Sequence, residues 1–171
     1  VEIAILDENG RPAAANVAGR IAVRSPATMR GYWRNPEATA RAIDAEGQLR
    51  TEDMGFVDDA GYLHLLGREK EMYFRAAFNV YPAEVEEVLA RHPKVAQAAV
   101  LGVPDDELGA KGWAFVVARD PDEPPALEEL RRFVGDELAS YKRPDGMTIV
   151  DEIPLNAMLK VDKLELRKRL S

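Results

Sequence analysis

Cysteine is absent from the 171-residue sequence, which excludes disulfide bonds, thiolate nucleophiles and cysteine-based metal sites. Histidine is scarce, since His64 and His92 are the two in the chain. Each is isolated, and their spacing is typical of neither a zinc site nor a catalytic triad. We therefore expect both histidines to be structural, and we expect no metal site in this chain.

Long apolar runs are also missing. No run approaches the roughly 18 residues that span a membrane, and no basic segment followed by an apolar one marks a secretion signal. Together with the missing cysteines, these absences predict a cytoplasmic protein without a transmembrane segment. Val1 lies directly in a strand-like alternation, which indicates a piece cut from a longer chain.

Positive charge is in the minority, with 23 Lys and Arg against 30 Asp and Glu and a net charge of −7. An acidic surface repels phosphate backbones, so we expect no nucleic-acid partner. Hydrophobic residues make up 46% of the chain and charged residues 31%, which is typical of a globular protein with a packed core. At roughly 100 to 200 residues per domain, the length allows one domain or one domain plus a fragment.

The first part of the chain has a β-type pattern. Val1, Ile3 and Ile5 alternate with polar residues, and the segments 56–57 and 62–66 predict a hairpin around a glycine-containing loop. Asn35 followed by Pro36 predicts the start of a short helix. These features predict small antiparallel strands with one short helix up to about residue 66.

From about residue 71 onward, helices alternate with strands. The residues after Tyr81 predict a helix, the runs 95–103 and 113–118 predict paired core strands, and the apolar spacing from Leu127 to Tyr141 predicts an amphipathic helix. A strand over 147–150 and a helix over about 161–170 follow. The pattern changes near residues 67–71, so we predict domains over 1–69 and 70–171.

Several segments, taken in order, resemble the late motifs of the adenylate-forming superfamily, which contains acyl-CoA synthetases, peptide-synthetase adenylation domains and luciferases. They are Gly31-Tyr32-Trp33 with 35–39, Thr51-Glu52-Asp53 with 61–63 and 67–70, and 79–86 with 154–160. The segment 141–144 resembles the acyl-CoA synthetase branch best. The implied fold class is α+β: a small β-rich end of the N-terminal domain, then a compact α/β C-terminal domain with a central, mostly antiparallel sheet and packing helices.

The resemblance implies an enzyme that uses ATP and Mg2+ to convert a carboxylic acid, of fatty or related type, to an acyl adenylate. The C-terminal domain then rotates about a hinge, and coenzyme A takes the acyl group. The phosphate-binding loop and the acyl pocket of the family have no counterpart in this sequence. We therefore expect this chain to need the missing N-terminal domain and to be inactive alone.

The resemblance also implies roles for single residues. Asp53 and Arg68 match the pair that contacts the ribose of ATP or AMP, where an acceptor-only carboxylate and a planar donor suit two hydroxyls. Lys70 matches the hinge position, where a polar residue can change its backbone angles without breaking core contacts. The alternative for Asp53 is a loop carboxylate that caps a turn, for Arg68 a surface ion pair with Asp58 or Asp59, and for Lys70 an exposed lysine without a role.

Lys160 matches the catalytic lysine of the family, whose charge stabilises the developing negative charge on the α-phosphate. The alternative is one more cation of the solvated basic run that includes Lys163 and Arg167. Arg75 and Ala77 lie where the family has a glycine-containing stretch beside the pantetheine tunnel, which implies coenzyme A contacts. An exposed arginine without a ligand is the alternative for Arg75.

The chain departs from the family pattern in three places. Glu52 replaces a glycine, Ala76 and Ala77 replace two glycines, and Met158 and Leu159 replace Thr-Gly before the lysine. Because leucine does not adopt positive φ cheaply, we expect either that this loop is built differently or that Lys160 is delivered along another path. Two other functions stay open, namely loading of a carrier-protein thiol and a non-enzymatic α/β interaction module.

Overall fold

Two units, joined at the Lys70–Glu71 peptide, make up the computed structural model, which describes residues 1–170. The first unit contains four strands and one helix, and the second contains five strands and three helices. The α+β class predicted from the sequence is confirmed, because antiparallel sheets and a few packing helices form both units.

The first unit is a four-stranded antiparallel sheet in the order β1-β2-β3-β4. Its strands are β1 (Glu2–Leu6), β2 (Gly19–Arg24), β3 (Leu49–Val57) and β4 (Leu63–Arg68). Ile5 lies opposite Ile21, and both side chains are buried. Of the alternating residues Val1, Ile3 and Ile5, Ile5 alone is buried, whereas Val1 and Ile3 are exposed.

The hairpin between β3 and β4 forms where the sequence predicts it. The carboxylate of Asp58 accepts hydrogen bonds from the backbone N–H groups of Ala60 and Tyr62, at 3.0 and 2.8 Å, and so closes the turn. The remaining Asp58 oxygen lies 2.8 Å from the ring nitrogen Nε2 of His64. His64 is thus a structural partner of the turn, as expected.

The short helix of the first unit is α1 (Pro36–Ala42). The Asn35 side chain accepts a hydrogen bond from the N–H of Ala38 at 2.9 Å, which caps the helix, and Pro36 occupies the first turn. The sequence prediction for this helix is confirmed at its first residue.

The second unit is organised around the strands β7 (Val95–Asp105), β8 (Gly109–Ala118) and β9 (Gly146–Ile149). The first two pair antiparallel, and β9 adds parallel to β8. Val100 and Val116 face one side of this sheet, whereas Leu101 and Phe115 face the other. Because both faces are covered, these strands appear in the sequence as continuous apolar runs.

Helices cover the two faces of this sheet. Buried side chains of α2 (Pro82–Ala90) and α3 (Leu127–Glu137) pack on the Val100 side, and Leu166 of α4 (Lys163–Lys168) packs on the other. The prediction for α3 was too long, since the helix ends at Glu137. Tyr141 instead lies in a separate 3-10 turn over Ser140–Lys142.

A small hairpin that the sequence did not predict opens the second unit. It consists of β5 (Tyr73–Arg75) and β6 (Phe78–Val80). The Tyr73 ring is buried in a space that exists because Gly102 and Gly112 have no Cβ: an added Cβ would lie 2.4 Å from Tyr73 atoms at either position. Two glycines distant in sequence therefore hold this hairpin against the sheet.

Candidate active site

Asp53 of β3 and Arg68 of β4 are direct cross-strand neighbours in the antiparallel register. The Arg68 Nε lies 3.4 Å from the Asp53 Oδ1, and both side chains are partly exposed. The hairpin thus brings a carboxylate acceptor in the middle of β3 beside a guanidinium donor at the end of β4. A vicinal diol needs this combination, because a carboxylate accepts from two hydroxyls while arginine donates to their oxygens.

The backbone before Asp53 is held by Thr51. Its hydroxyl donates to the carbonyl of Ile21 at 3.0 Å and accepts from the N–H of Asp53 at 3.1 Å. These hydrogen bonds hold β3 against β2 two residues before the Asp53 carboxylate. The position of Asp53 therefore depends on the sheet and not on a free loop. The role of the threonine in the family-like segment is therefore structural.

Glu52 connects two cations, Arg68 at the end of β4 and Lys70 just after it. One of its carboxylate oxygens lies 2.7 Å from the Lys70 Nζ, and the other lies 3.5 Å from the Arg68 Nη2. The hydrogen bond from Lys70 holds the pKa of Glu52 below its ordinary value. Arg68 accordingly pairs with Asp53 and Glu52, and the alternative pairing with Asp58 or Asp59 is not what the structure shows.

Lys70 is the last residue of the first unit, and its side chain is 76% exposed. It lies in a 3-10 turn over Glu69–Glu71. The residue predicted to be a hinge is therefore at the point where the two units join.

Lys160 lies in a tight loop of the second unit. Leu155 and Val161 form an isolated antiparallel bridge at the base of this loop, and the Asn156 side chain accepts from the N–H groups of Met158 and Lys160 at 2.9 and 3.1 Å. The Lys160 side chain is exposed. Among residues 1–170, the structure gives its ammonium group no ion-pair partner, so the charge is available to a ligand.

Two lysines of the basic run are ion-paired. The Lys163 Nζ lies 2.5 Å from Glu71 and 3.2 Å from Glu86, and the Lys168 Nζ lies 2.9 Å from Glu165. Lys160 therefore differs from these two lysines.

Arg75 forms an ion pair with Asp145 of its own unit. Its guanidinium donates two hydrogen bonds to Asp145, at 3.1 and 2.7 Å, and the two side chains are 22% and 13% exposed. These contacts raise the pKa of Arg75 above its ordinary value. The predicted coenzyme A contact would need this guanidinium to serve a second acceptor beside Asp145, and Ala77 lies at the adjoining hairpin turn.

The three departures from the family pattern share one backbone property. Glu52, Ala76 and Leu159 stand where the family has glycine, and their φ angles are 64°, 54° and 58°. This is the left-handed region, which glycine adopts without cost and other residues adopt with strain. Leu159 thus takes the glycine-like conformation that its side chain disfavours.

Sequence reasoning missed the acidic partners of these sites. Glu52 was treated as a replaced glycine, and neither Glu71 nor Lys163 was given a role. The alternating charges of Glu69, Lys70 and Glu71 are a signal that could have been used, since each of the three holds an opposite charge from another element.

Metal ligands and membrane spans were searched for in the part of the chain that the structure describes. No group of three or more His, Asp or Glu side chains in residues 1–170 could hold a metal ion. No helix over the same residues is long and apolar enough to cross a membrane.

Comparison with known proteins decides the family. Residues 84–160 match the family model described as the AMP-binding enzyme C-terminal domain. Among solved structures, the amide bond synthetase McbA from Marinactinospora thermotolerans superposes with a TM-score of 0.92 and 40% sequence identity, covering 99% of this chain and 35% of that one. The chain belongs to the adenylate-forming superfamily.

Two relatives of this adenylate-forming chain are CoA ligases. The 3-[(3aS,4S,7aS)-7a-methyl-1,5-dioxo-octahydro-1H-inden-4-yl]propanoyl:CoA ligase of Mycobacterium tuberculosis is 50% identical over 153 residues, covering 88% of this chain and 29% of that protein. The 2-succinylbenzoate--CoA ligase of Geobacillus kaustophilus is 42% identical over 170 residues, covering 98% and 34%. The chain therefore spans about a third of the length of the relatives it matches.

Proposed function

We propose that this chain is the C-terminal portion of an AMP-forming acid–thiol ligase. In the full-length protein it would help to activate a carboxylic acid with ATP and Mg2+ and to pass the acyl group to coenzyme A. ATP supplies the phosphoanhydride that converts the acid to a mixed anhydride with AMP. Residues 1–69 would be the tail of the large N-terminal domain, and 70–171 the mobile C-terminal domain.

The paired Asp53 and Arg68 carry this proposal. A carboxylate and a guanidinium held in register 3.4 Å apart suit the two ribose hydroxyls of a nucleotide, and the neighbouring sheet fixes both strands. No phosphate-binding loop is present in the sequence. Within this chain we therefore assign these residues to the ribose of ATP or AMP alone, and we assign no residue to Mg2+.

Lys160 is proposed as the catalytic residue of adenylate formation. Its exposed, unpaired ammonium group on a loop ordered by Asn156 can approach an anionic phosphate and stabilise the charge that develops there. Lys70, at the junction of the two units, is proposed as the hinge that carries this loop toward and away from the nucleotide.

Exposed apolar side chains of the first unit support a missing partner domain. Trp33, Tyr62 and Leu65 are 87%, 71% and 65% exposed. Large apolar side chains with this degree of exposure are typical of residues that another part of a protein covers. We therefore propose that the N-terminal domain of the same polypeptide packs here, and that this chain by itself does not complete adenylation.

Coenzyme A is the proposed acceptor because two relatives are CoA ligases. A carrier-protein thiol is the second candidate, and it is supported by a relative, 39% identical over 165 residues, that is a fatty acid--[acyl-carrier-protein] ligase. Arg75 and Ala77 are the proposed coenzyme A contacts, with Asp145 as a competing partner for the arginine. A fatty or related acid is the proposed substrate class.

The test is a comparison of the two half-reactions in the full-length protein. Lys160→Ala should lower the rate of adenylate formation, measured as pyrophosphate release, by about 100-fold or more. A loss of this size is typical when one preorganised charge is removed. Thioester formation from supplied acyl adenylate should persist. Lys168→Ala is the matched control, because it removes another exposed lysine of the same segment and should leave both rates unchanged.

Other outcomes separate the alternatives. Equal loss of both half-reactions in Lys160→Ala contradicts the catalytic role. Supplying coenzyme A and a carrier-protein thiol in parallel to preformed adenylate distinguishes the two acceptors. A full-length protein that releases no pyrophosphate with any acid supports the non-enzymatic α/β interaction module.

A further inference from the structure

The turn that joins the two units carries three charges in a row, and each is neutralised by a different element. Glu69 accepts from the Arg20 guanidinium of β2 at 2.8 Å, and Lys70 donates to Glu52 of β3 at 2.7 Å. Both pairs lie within the first unit. The polypeptide is thus held by the sheet up to and including Lys70.

The third charge is held from the other side of the junction. Glu71, the first residue of the second unit, accepts from the Lys163 Nζ of α4 at 2.5 Å. Lys163 is also tied to Glu86 of α2 at 3.2 Å, and its side chain is 22% exposed. Two residues further on, the buried ring of Tyr73 anchors the chain in the second unit.

We propose that these ion pairs act as clamps on both sides of the junction and confine the swing of the two units to the Lys70–Glu71 peptide. This inference rests on the proposed function, in which the units alternate between two conformations. Glu52, Arg20 and Lys163 are positioning residues in this device, because they act on the hinge turn and touch no reacting atom. The clamps differ from the ribose pair and from Lys160, which act on ligands.

The physical reason is the number of rotatable bonds left free. If residues 69 and 70 move with the first unit and residue 71 moves with the second, two backbone torsions, ψ of Lys70 and φ of Glu71, absorb most of the rotation. A pivot with few free torsions populates few orientations, so a larger fraction of molecules is in each productive arrangement. Loss of a clamp adds free torsions and lowers that fraction.

The position of Lys163 couples the hinge to the catalytic loop. Lys163 follows Asp162, whose carboxylate caps α4 by accepting from two backbone N–H groups, and it lies three residues after Lys160. The helix that starts immediately after the Lys160 loop thus holds the first residue beyond the pivot. Rotation at the hinge is therefore transmitted to the loop through one short helix.

The experiment uses four Glu→Gln variants of the full-length protein. Glu52→Gln and Glu71→Gln each remove one clamp while keeping the shape of the side chain. Glu2→Gln and Glu165→Gln are the matched controls, because they break exposed ion pairs of the same two units, with Arg24 and Lys168, away from the junction. The primary readout is amide hydrogen exchange of residues 69–72, measured by mass spectrometry.

If the ion pairs act as clamps, their loss should change hydrogen exchange at the junction alone. Exchange of residues 69–72 should rise about 2-fold in Glu52→Gln, as expected for an exposed ion pair, and about 5-fold in Glu71→Gln, whose partner is mostly buried. The thermal midpoint should stay within about 1 °C of the wild type, since few core contacts change. Both controls should leave exchange of residues 69–72 at the wild-type rate.

The second readout is the rate of each half-reaction. Both rates should fall about 2-fold or more in the double variant Glu52→Gln/Glu71→Gln, because each needs a well-populated orientation. Two further variants use the hydrogen-exchange readout again. Lys163→Arg, which keeps the charge, should leave exchange of residues 69–72 at the wild-type rate, whereas Lys163→Met should raise it as much as Glu71→Gln does.

Two results would overturn the clamps: unchanged exchange of residues 69–72 in Glu71→Gln, or an equal rise in the controls. If the wild type performs neither half-reaction, the proposed ligase function fails while the exchange data still decide whether the junction is clamped.

Discussion

Replacing Ala76 by glycine should stabilise the second unit, although the substitution removes a methyl group and buries nothing. Ala76 and Ala77 form the two-residue turn of the β5–β6 hairpin, and both are exposed. Ala76 has φ 54°, whereas Ala77 does not have positive φ. The backbone N–H of Ala76 donates to the carbonyl of Leu108 at 2.7 Å, which holds the residue in this conformation.

Two opposing terms set the magnitude. An L-residue in the left-handed region is about 1 to 2 kcal/mol less stable than glycine there. Glycine costs about 0.5 to 1 kcal/mol through the extra freedom of the unfolded chain. Ala76→Gly should therefore raise the free energy of unfolding by about 0.75 kcal/mol, the midpoint of a range from about 0 to 1.5 kcal/mol.

Ala77→Gly is the matched control, because it makes the same chemical change one residue later in the same turn. There the unfolded-state cost acts alone, so the free energy of unfolding should fall by about 0.5 to 1 kcal/mol. The difference between the two variants cancels the unfolded-state contribution and isolates the cost of the left-handed backbone, about 1 to 2 kcal/mol.

The assay is urea unfolding followed by far-UV circular dichroism, with a thermal scan as a second measure. For a chain of this size, 1 kcal/mol corresponds to about 2 to 4 °C in Tm. Equal stability changes in the two variants, or a greater loss in Ala76→Gly than in Ala77→Gly, would refute the reasoning, since neither is compatible with strain at residue 76.

Two further predictions concern packing and acid stability. Gly102→Ala should destabilise the second unit by about 1 to 3 kcal/mol, because the new Cβ would lie 2.4 Å from the Cβ of Tyr73; an unchanged urea midpoint contradicts it. The hydrogen bond from His64 lowers the pKa of Asp58 from its ordinary 3.8, so this carboxylate stabilises the fold above pH 3.8 and loses its contribution as the pH falls through the folded value. Unfolding free energy measured at pH 5 and pH 3 should therefore fall less in Asp58→Asn than in the wild type, and an equal fall would count against this role.

Local patterns predicted much of the fold because local forces decide those elements. Asn35 and Pro36 satisfy the first turn of α1 wherever the helix lies, and the apolar runs of β7 and β8 are long enough to indicate a sheet covered on both faces. The β5–β6 hairpin was missed because its strands have three residues each, too few for an alternation to be recognised. Its stability comes from the Tyr73 ring and from glycines about 30 and 40 residues away in sequence.

For the candidate site, too, some residues could be selected from the sequence and others only from the structure. The resemblance of the surrounding motifs to the superfamily selected Asp53, Arg68 and Lys160 as candidates, and their residue types suit a diol and a developing phosphate charge. The partners of the charged residues were not predictable. Each charged side chain has many candidates of opposite sign along the chain, and pairing depends on which of them the fold brings within about 4 Å.

The sequence by itself determined the groups that this protein can offer, namely a carboxylate, a guanidinium and two lysines in motifs that resemble those of the superfamily, without cysteine. The tertiary structure alone decided which charges are free. It pairs Arg75 with Asp145 and Lys163 with Glu71, partners 70 and 92 residues apart, and leaves Lys160 exposed. The physical reason is that the attraction between two charges depends on the distance between them, and the fold sets that distance.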